Sequence, residues 1–338
     1  MTELDALFVP YTQPDAPGGC VGVIQQGRVC RTLAFGLADL ESGTAVTPAT
    51  NFRLASLSKQ FTATAVLLLA QRGQLALTYT LPHFFPHFPA YGHSITLHHL
   101  LNHTAGLPDY EDLIPSTTQI PLKDKDVLVL LQQETAGYFP PGAAFRYSNS
   151  AYALLALVVE RVSGLSFAAF LAQNIFQPVG MAGTVAYEAG ISQVARRAAG
   201  YHPVVSGFVR RDQSLTSSVL GDGGIYSSVE DLFRWDQSLY TDQVLRAAWR
   251  TAAWTPQTWV KDGRLAYGYG WFIEQVEGQT CHWHFGSTTG FRTAVERYPA
   301  VHLTVLVLLN RDEADGQEML AHTLARQVAR LYLAEGMV

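Results

Sequence analysis

A chain of 338 residues, 48% hydrophobic and 15% charged, can bury a large core, and its length alone suggests about two domains. The formal net charge of -5 provides no extended positive field, which argues against a nucleic-acid partner. Three cysteines, Cys20, Cys30 and Cys281, are too few for a disulfide framework and are expected to be buried, reduced thiols.

The first residues, "MTELDALFVPYTQPDAPGG", have neither a basic start nor a long apolar run. No signal peptide is therefore expected, and the cytoplasm is the default location. "GGCVGVIQQGRVCRTLAFGLADLESG" (18–43) alternates apolar and polar residues on either side of a glycine, predicting two strands joined at Gln26-Gly27. After "TPAT" (47–50) a helix is predicted from Ser56 to Gln71, with Gly73 as its C-cap. Its apolar window, "FTATAVLLLA" (61–70), is too short to span a bilayer and reads as a core helix.

Helical periodicity continues in "HSITLHHLLNHT", "KDVLVLLQQE" and "SAYALLALVVERVSGLSFAAFLAQNIF", separated by Pro- and Gly-rich connections. From about residue 266 the period returns to two. "AYGYGWFIEQV", "QTCHWHFG", "TGFRTAVERYP" and "VHLTVLVLLN" read as consecutive strands, and "EADGQEMLAHTLARQVARLYLAEG" as a closing amphipathic helix. Strands at both ends with helices between them predict an α/β domain formed by residues 1–75 and 225–338, with a helical domain, 76–224, inserted.

Three stretches carry chemistry. In "SLSK" (56–59), Ser56 and Lys59 are three residues apart and share a helix face. A lysine flanked by apolar sequence is desolvated, which lowers its pKa and lets it accept a proton from the serine. Ser58 faces elsewhere and is the poorer nucleophile; the plain alternative makes Ser56 a helix cap and Lys59 an exposed charge. In "YSN" (147–149), the phenol of Tyr147 can act as general base or acid if a nearby ammonium lowers its pKa. Asn149 offers a donor and an acceptor that suit Lys59 and a substrate carbonyl together, although Ser148 or Asn149 could simply cap the next helix. In "CHWHFGSTTGFRT" (281–293), His282 and His284 point to one face of a strand. Gly286 removes a side chain where something approaches the backbone, and the N–H of Ser287 can join that of Ser56 as an oxyanion donor.

Taken in order, Ser-x-x-Lys, Tyr-x-Asn and His-x-Gly resemble the three signatures of the serine β-lactamase and penicillin-binding-protein superfamily. "LLNHTAGLPDY" (100–110) and "GDGGIYSSVEDLFRW" (221–235) are similar to further segments of that family. The resemblance covers nearly the whole chain. It implies a β-lactamase-like fold: an antiparallel sheet flanked by N- and C-terminal helices, an inserted all-helical domain, and a site in the cleft between them. It makes Ser56 the nucleophile, Lys59 its activating partner, Tyr147 the proton shuttle, Asn149 a substrate-orienting group and His284 the third-motif residue, with the N–H groups of Ser56 and Ser287 as oxyanion hole.

The chain departs from the pattern at the third motif. His-Phe-Gly stands where many β-lactamases carry Lys-Thr-Gly, so an imidazole that is mostly neutral at pH 7 replaces a permanent cation. This weakens penicillin hydrolysis as the activity. The expected function is acyl-enzyme hydrolysis of small esters, amides or D-amino-acid peptides, without a cofactor; a β-lactamase or DD-carboxypeptidase is the alternative. A metal enzyme built on His83, His87, His93, His98, His99 and His103 lacks a ligand spacing to support it, and a non-catalytic binding protein is disfavoured by the retained Ser56, Lys59 and Tyr147. The aromatic stretch 267–274 is either an acyl pocket or a core strand. Asp109, Tyr110 and Asp222 are candidates for the cleft border.

Overall fold

Strands from the two ends of the chain build one sheet. The computed structural model describes residues 2–261, 263–313 and 319–335. In it β1 (Gly19–Gln25), β2 (Arg28–Phe35), β3 (Thr258–Lys261), β4 (Leu265–Tyr267), β5 (Phe272–Val276), β6 (Gln279–Thr288), β7 (Phe291–Tyr298) and β8 (Leu303–Leu309) pair antiparallel in the order β3-β4-β5-β6-β7-β8-β1-β2. Gln26 and Gly27 join β1 to β2 with φ of 50° and 75°, the left-handed pair that lets a tight hairpin follow the strand twist.

The interior strand β8 is buried along its whole length, because both faces of the sheet are covered. Val305 and Val307 pack under the C-terminal helix α6 (Leu320–Glu335) beside the N-terminal helix α1 (Glu3–Phe8), while Leu306 and Leu308 belong to the larger core on the opposite face. That larger core holds α2 (Lys59–Gln71), α3 (Asp124–Gln133), α4 (Asn149–Ser163) and α5 (Val229–Ser238). Gly73 follows α2 at φ 71° and stops it as a left-handed residue past the last turn. Among the described residues no single helix is long and apolar enough to cross a membrane.

Three local expectations change. "AYGYGWFIEQV" is two strands, β4 and β5, because Gly270 turns at φ 78° and the N–H of Gly268 closes onto the carbonyl of Trp271 at 2.9 Å. Beyond the helices, the middle segment adds a hairpin, Tyr201–Val204 with Gly207–Arg210, and a short strand, Val185–Ala186. Cys20 and Cys281 are buried free thiols, whereas Cys30 is exposed: it lies on the outermost strand, β2, whose first three residues face solvent. The N-terminal end of the predicted closing helix, residues 314–318, lies outside the described residues.

The sheet positions the turn that precedes α2. Residues Phe52–Arg53 pair with Ile225–Ser227, the N–H of Leu54 donates to the Ile225 carbonyl at 2.8 Å, and Thr293 Oγ1 on β7 donates to the Leu54 carbonyl at 2.7 Å. Strand β6 meets this turn at Gly286, where a Cβ would sit 2.1 Å from the Leu54 carbonyl oxygen and 2.3 Å from Thr293 Oγ1. The approaching backbone foreseen at Gly286 is therefore that of the turn carrying Ser56. Gly286→Ala should lower stability by roughly 3 kcal/mol through overpacking, measured by chemical denaturation; unaltered stability would show that the turn and strand separate freely.

Candidate active site

Ala55 has φ 50°, a conformation that costs a non-glycine residue about 1–3 kcal/mol and persists only where its surroundings enforce it. The contacts to Ile225, Thr293 and Gly286 supply that enforcement one residue before Ser56. Ser56 itself lies in a tight 3-10 turn, Ala55–Ser58, and the α-helix begins only at Lys59. The spacing of three survives this change: Lys59 Nζ lies 3.1 Å from Ser56 Oγ. Ser56 makes no helix-capping hydrogen bond, and Ser58 is buried with its Oγ accepting from the N–H of Ile225 at 3.2 Å.

Lys59 is fully buried. Its Nζ also lies 2.8 Å from Asn149 Oδ1 and 2.9 Å from the Asp222 backbone carbonyl. Desolvation lowers its pKa to about 8, against the opposing pull of Asp222, Glu111 and Asp109. The three neighbours decide how the neutral amine is oriented. It has two N–H groups and one lone pair, and two of its neighbours are carbonyl oxygens, which only accept. The two hydrogens go to them, and the lone pair is left facing the one neighbour with a hydrogen to give, the Ser56 hydroxyl.

Tyr147 precedes α4, whose N-cap is Ser148, with Oγ accepting from the N–H of Ala151 at 3.1 Å. Its ring lies 4.8 Å from Lys59 Nζ, but the expected lowering of the phenol pKa does not occur. Burial raises it well above its ordinary value, with the Ser56 hydroxyl pulling the other way. The oxygen is buried without a hydrogen bond of its own among the described residues. Tyr147 is therefore a neutral phenol, a proton donor in the resting state. His103 holds this segment in place: Nδ1 accepts from the N–H of Ser148 at 3.0 Å, its carbonyl accepts from the N–H of Arg146 at 2.9 Å, and its ring lies 4.4 Å from that of Tyr147.

Asn149 uses its amide in two directions. While Oδ1 faces Lys59, Nδ2 donates to Glu111 Oε1 at 3.1 Å. An ionised carboxylate only accepts, so Glu111 fixes which way the amide points. Glu111 was not singled out in the sequence; its one signal is that it follows "LLNHTAGLPDY" directly. Although Glu111 is exposed, partial desolvation at the cavity wall and the charges of Asp222 and Asp109 raise its pKa. Asp222 accepts from the Tyr110 hydroxyl at 2.9 Å, and its pKa rises to about 6, chiefly by burial. Asp109 caps the turn Tyr110–Leu113 through the N–H of Glu111.

Ser56, Asn149, Glu111, Tyr110, Asp222 and Ser287 line one narrow cavity of about 50 Å³. His284 does not line it: the ring is fully buried, with Nε2 3.2 Å from the Tyr267 hydroxyl and Nδ1 2.8 Å from the Phe285 carbonyl. Burial and the Lys59 charge lower its pKa to about 3, so it presents no cation to a ligand. The aromatic stretch resolves as core, since Tyr267, Tyr269 and Trp271 are all buried away from this cavity. Elsewhere, His98 meets the Tyr269 hydroxyl at 2.8 Å and Asn102 Nδ2 at 3.0 Å, and His93 meets the Phe88 carbonyl at 3.0 Å; no metal-holding cluster exists among the described residues.

The sequence matches the Beta-lactamase family over residues 4–330. Penicillin-binding protein 4* of Bacillus subtilis (strain 168) is 32% identical over 327 residues, covering 92% of this chain and 72% of that protein. A D-aminopeptidase of Cereibacter sphaeroides (strain KD131) is 29% identical over 333 residues, covering 95% of this chain and 62% of that protein, so the chain spans less than two thirds of the latter's length. Among solved structures, a penicillin binding protein from Bacillus halodurans superposes with a TM-score of 0.83 at 28% identity, covering 98% of this chain and 99% of the other. The chain belongs to the Beta-lactamase family and is a serine hydrolase of that fold.

Proposed function

We propose that the chain cleaves amides and esters of D-amino acids through an acyl-enzyme on Ser56. The observation that carries this reading is the fully buried Lys59, whose amine has a pKa near 8 and lies 3.1 Å from the Ser56 hydroxyl. The neutral amine takes the Ser56 proton as Oγ attacks the carbonyl carbon. The N–H groups of Ser56 and Ser287 face the developing oxyanion. Tyr147, a neutral phenol beside both groups, protonates the departing nitrogen or oxygen and is restored from the Lys59 ammonium. Water then attacks the acyl-enzyme as its proton passes through Tyr147 to the neutral Lys59, and the Lys59 ammonium returns a proton to the departing Ser56 Oγ. Asn149 gives one N–H to Glu111 and keeps the other for the substrate carbonyl.

The amino group of the substrate is assigned to Glu111. A carboxylate in the cavity that holds Ser56 suits an ammonium group on the acyl side. The D-configuration is supported by the D-aminopeptidases among the relatives. The buried, neutral His284 leaves a β-lactam carboxylate without a partner at the third motif, which disfavours a β-lactamase.

Because Lys59 must be neutral, kcat/KM should rise with pH through an apparent pKa near 8, and be about 100-fold lower at pH 6 than on the alkaline plateau. A flat profile from pH 6 to 9 would exclude Lys59 as the base. Ser56→Ala should abolish turnover, with at least a ~1,000-fold loss, while circular dichroism stays unaltered; near-wild-type activity would refute the nucleophile. Glu111→Gln should narrow the kcat/KM preference for a D-aminoacyl anilide over its des-amino counterpart by about tenfold, and an unaltered preference would remove Glu111 from amine recognition.

A further inference from the structure

The narrow cavity at Ser56 opens into a second chamber of about 340 Å³. Glu111, Thr216, Ser287 and Thr288 line both, so the two are continuous across the edge of β6. The far wall is a loop seated on the β6–β7 turn. The N–H of Arg211 donates to the Gly200 carbonyl at 2.8 Å, and a Cβ at Gly290 would lie 2.4 Å from the Arg211 carbonyl oxygen. The fit leaves no slack: Gly290, at φ 74°, adopts a conformation that favours glycine, and its N–H is held by Asp312 Oδ2 at 2.9 Å.

Charge accounting in this chamber leaves two groups without an ion pair among the described residues: Glu111, at the mouth it shares with the Ser56 cavity and already assigned to the substrate ammonium, and Arg211. Asp312 is spent on the Gly290 N–H and on His202 Nδ1 at 2.6 Å. Glu313 is paired with Arg311 Nε at 3.2 Å. The guanidinium of Arg292 is buried and donates to the carbonyls of Thr288 and Phe291 at 2.8 and 2.9 Å. Arg211 is exposed and lines the chamber, yet makes no ion pair or side-chain hydrogen bond among the described residues. An unspent guanidinium on a rigidly seated loop, among the hydroxyls of Ser214, Thr216 and Thr288, has the donor geometry that suits a carboxylate.

We propose that this chamber is the leaving-group subsite and that Arg211 binds a carboxylate there. This rests on the D-aminoacyl reading and extends it. Of the two ends of a short zwitterionic peptide, the ammonium faces Glu111 on the acyl side and the carboxylate faces Arg211 on the leaving side. The bond from Ser56 Oγ to the carbonyl carbon forms, the C–N bond breaks, and the departing nitrogen takes the proton from Tyr147. The product that leaves first is then an amino acid or peptide with a free C-terminus, and the preferred substrates are peptides rather than simple amides or alcohol esters.

The test compares release of glycine from D-alanyl-glycine with release of glycinamide from D-alanyl-glycinamide, with D-alanine p-nitroanilide as a substrate that carries no carboxylate. The wild-type protein should favour the free acid about tenfold in kcat/KM. Arg211→Ala should bring that ratio to about one, and Arg211→Lys should retain part of it. A wild-type ratio near one, or a preference that survives in Arg211→Ala, overturns the subsite. If D-alanine p-nitroanilide is cleaved while the ratio is flat, the subsite alone falls. If none of the three is cleaved, the D-aminoacyl reading falls and takes the subsite with it.

Discussion

The site depends on one buried amine with three neighbours, only one of which can give it a hydrogen. Taking Lys59 out of water favours its neutral form, and the carbonyls of Asn149 and Asp222 then occupy both of its hydrogens. What remains is a lone pair directed at Ser56. The rest of the architecture serves that arrangement. The apolar length of α2 buries the lysine, the strained Ala55 turn presents the serine, and the start of α4 brings Asn149 across from a different part of the fold.

The same low-dielectric surroundings divide the work between Lys59 and Tyr147. Burial lowers the pKa of a cationic acid and raises that of a neutral one, so a lysine and a tyrosine in one apolar setting move in opposite directions. The lysine becomes the base and the phenol becomes the acid. The sequence-based expectation gave Tyr147 a lowered pKa because it weighed the nearby ammonium and not the burial, and burial outweighs it. A neutral lysine also removes the charge that would have stabilised a phenolate.

The legible parts of the site are those where the chemistry resides in local spacing. Ser56 and Lys59 meet because three residues bring side chains onto one face in a 3-10 turn as in an α-helix, so misreading the turn did no harm. The β1–β2 hairpin was legible for the same reason, through Gln26-Gly27. Glu111 was not, because it reaches Asn149 from 38 residues away, and its place directly after "LLNHTAGLPDY" does not say which residue it meets. The Asp222 carbonyl that holds Lys59 is a backbone atom, which no side-chain motif can encode. Gly286 was recognised as a place of close approach, but the group approaching is the serine-bearing turn, which only the packing of β6 against Leu54 reveals. Cys30 was misplaced because strand pattern alone does not say which strand lies at the edge.

The most direct test of the central claim is the titration of Lys59 itself, followed by its Nζ-coupled carbon resonance in lysine-labelled folded protein. The account predicts a midpoint near pH 8. A midpoint near the ordinary lysine value of about 10.4 would mean that the amine stays charged beside Ser56 and that another group removes the serine's proton.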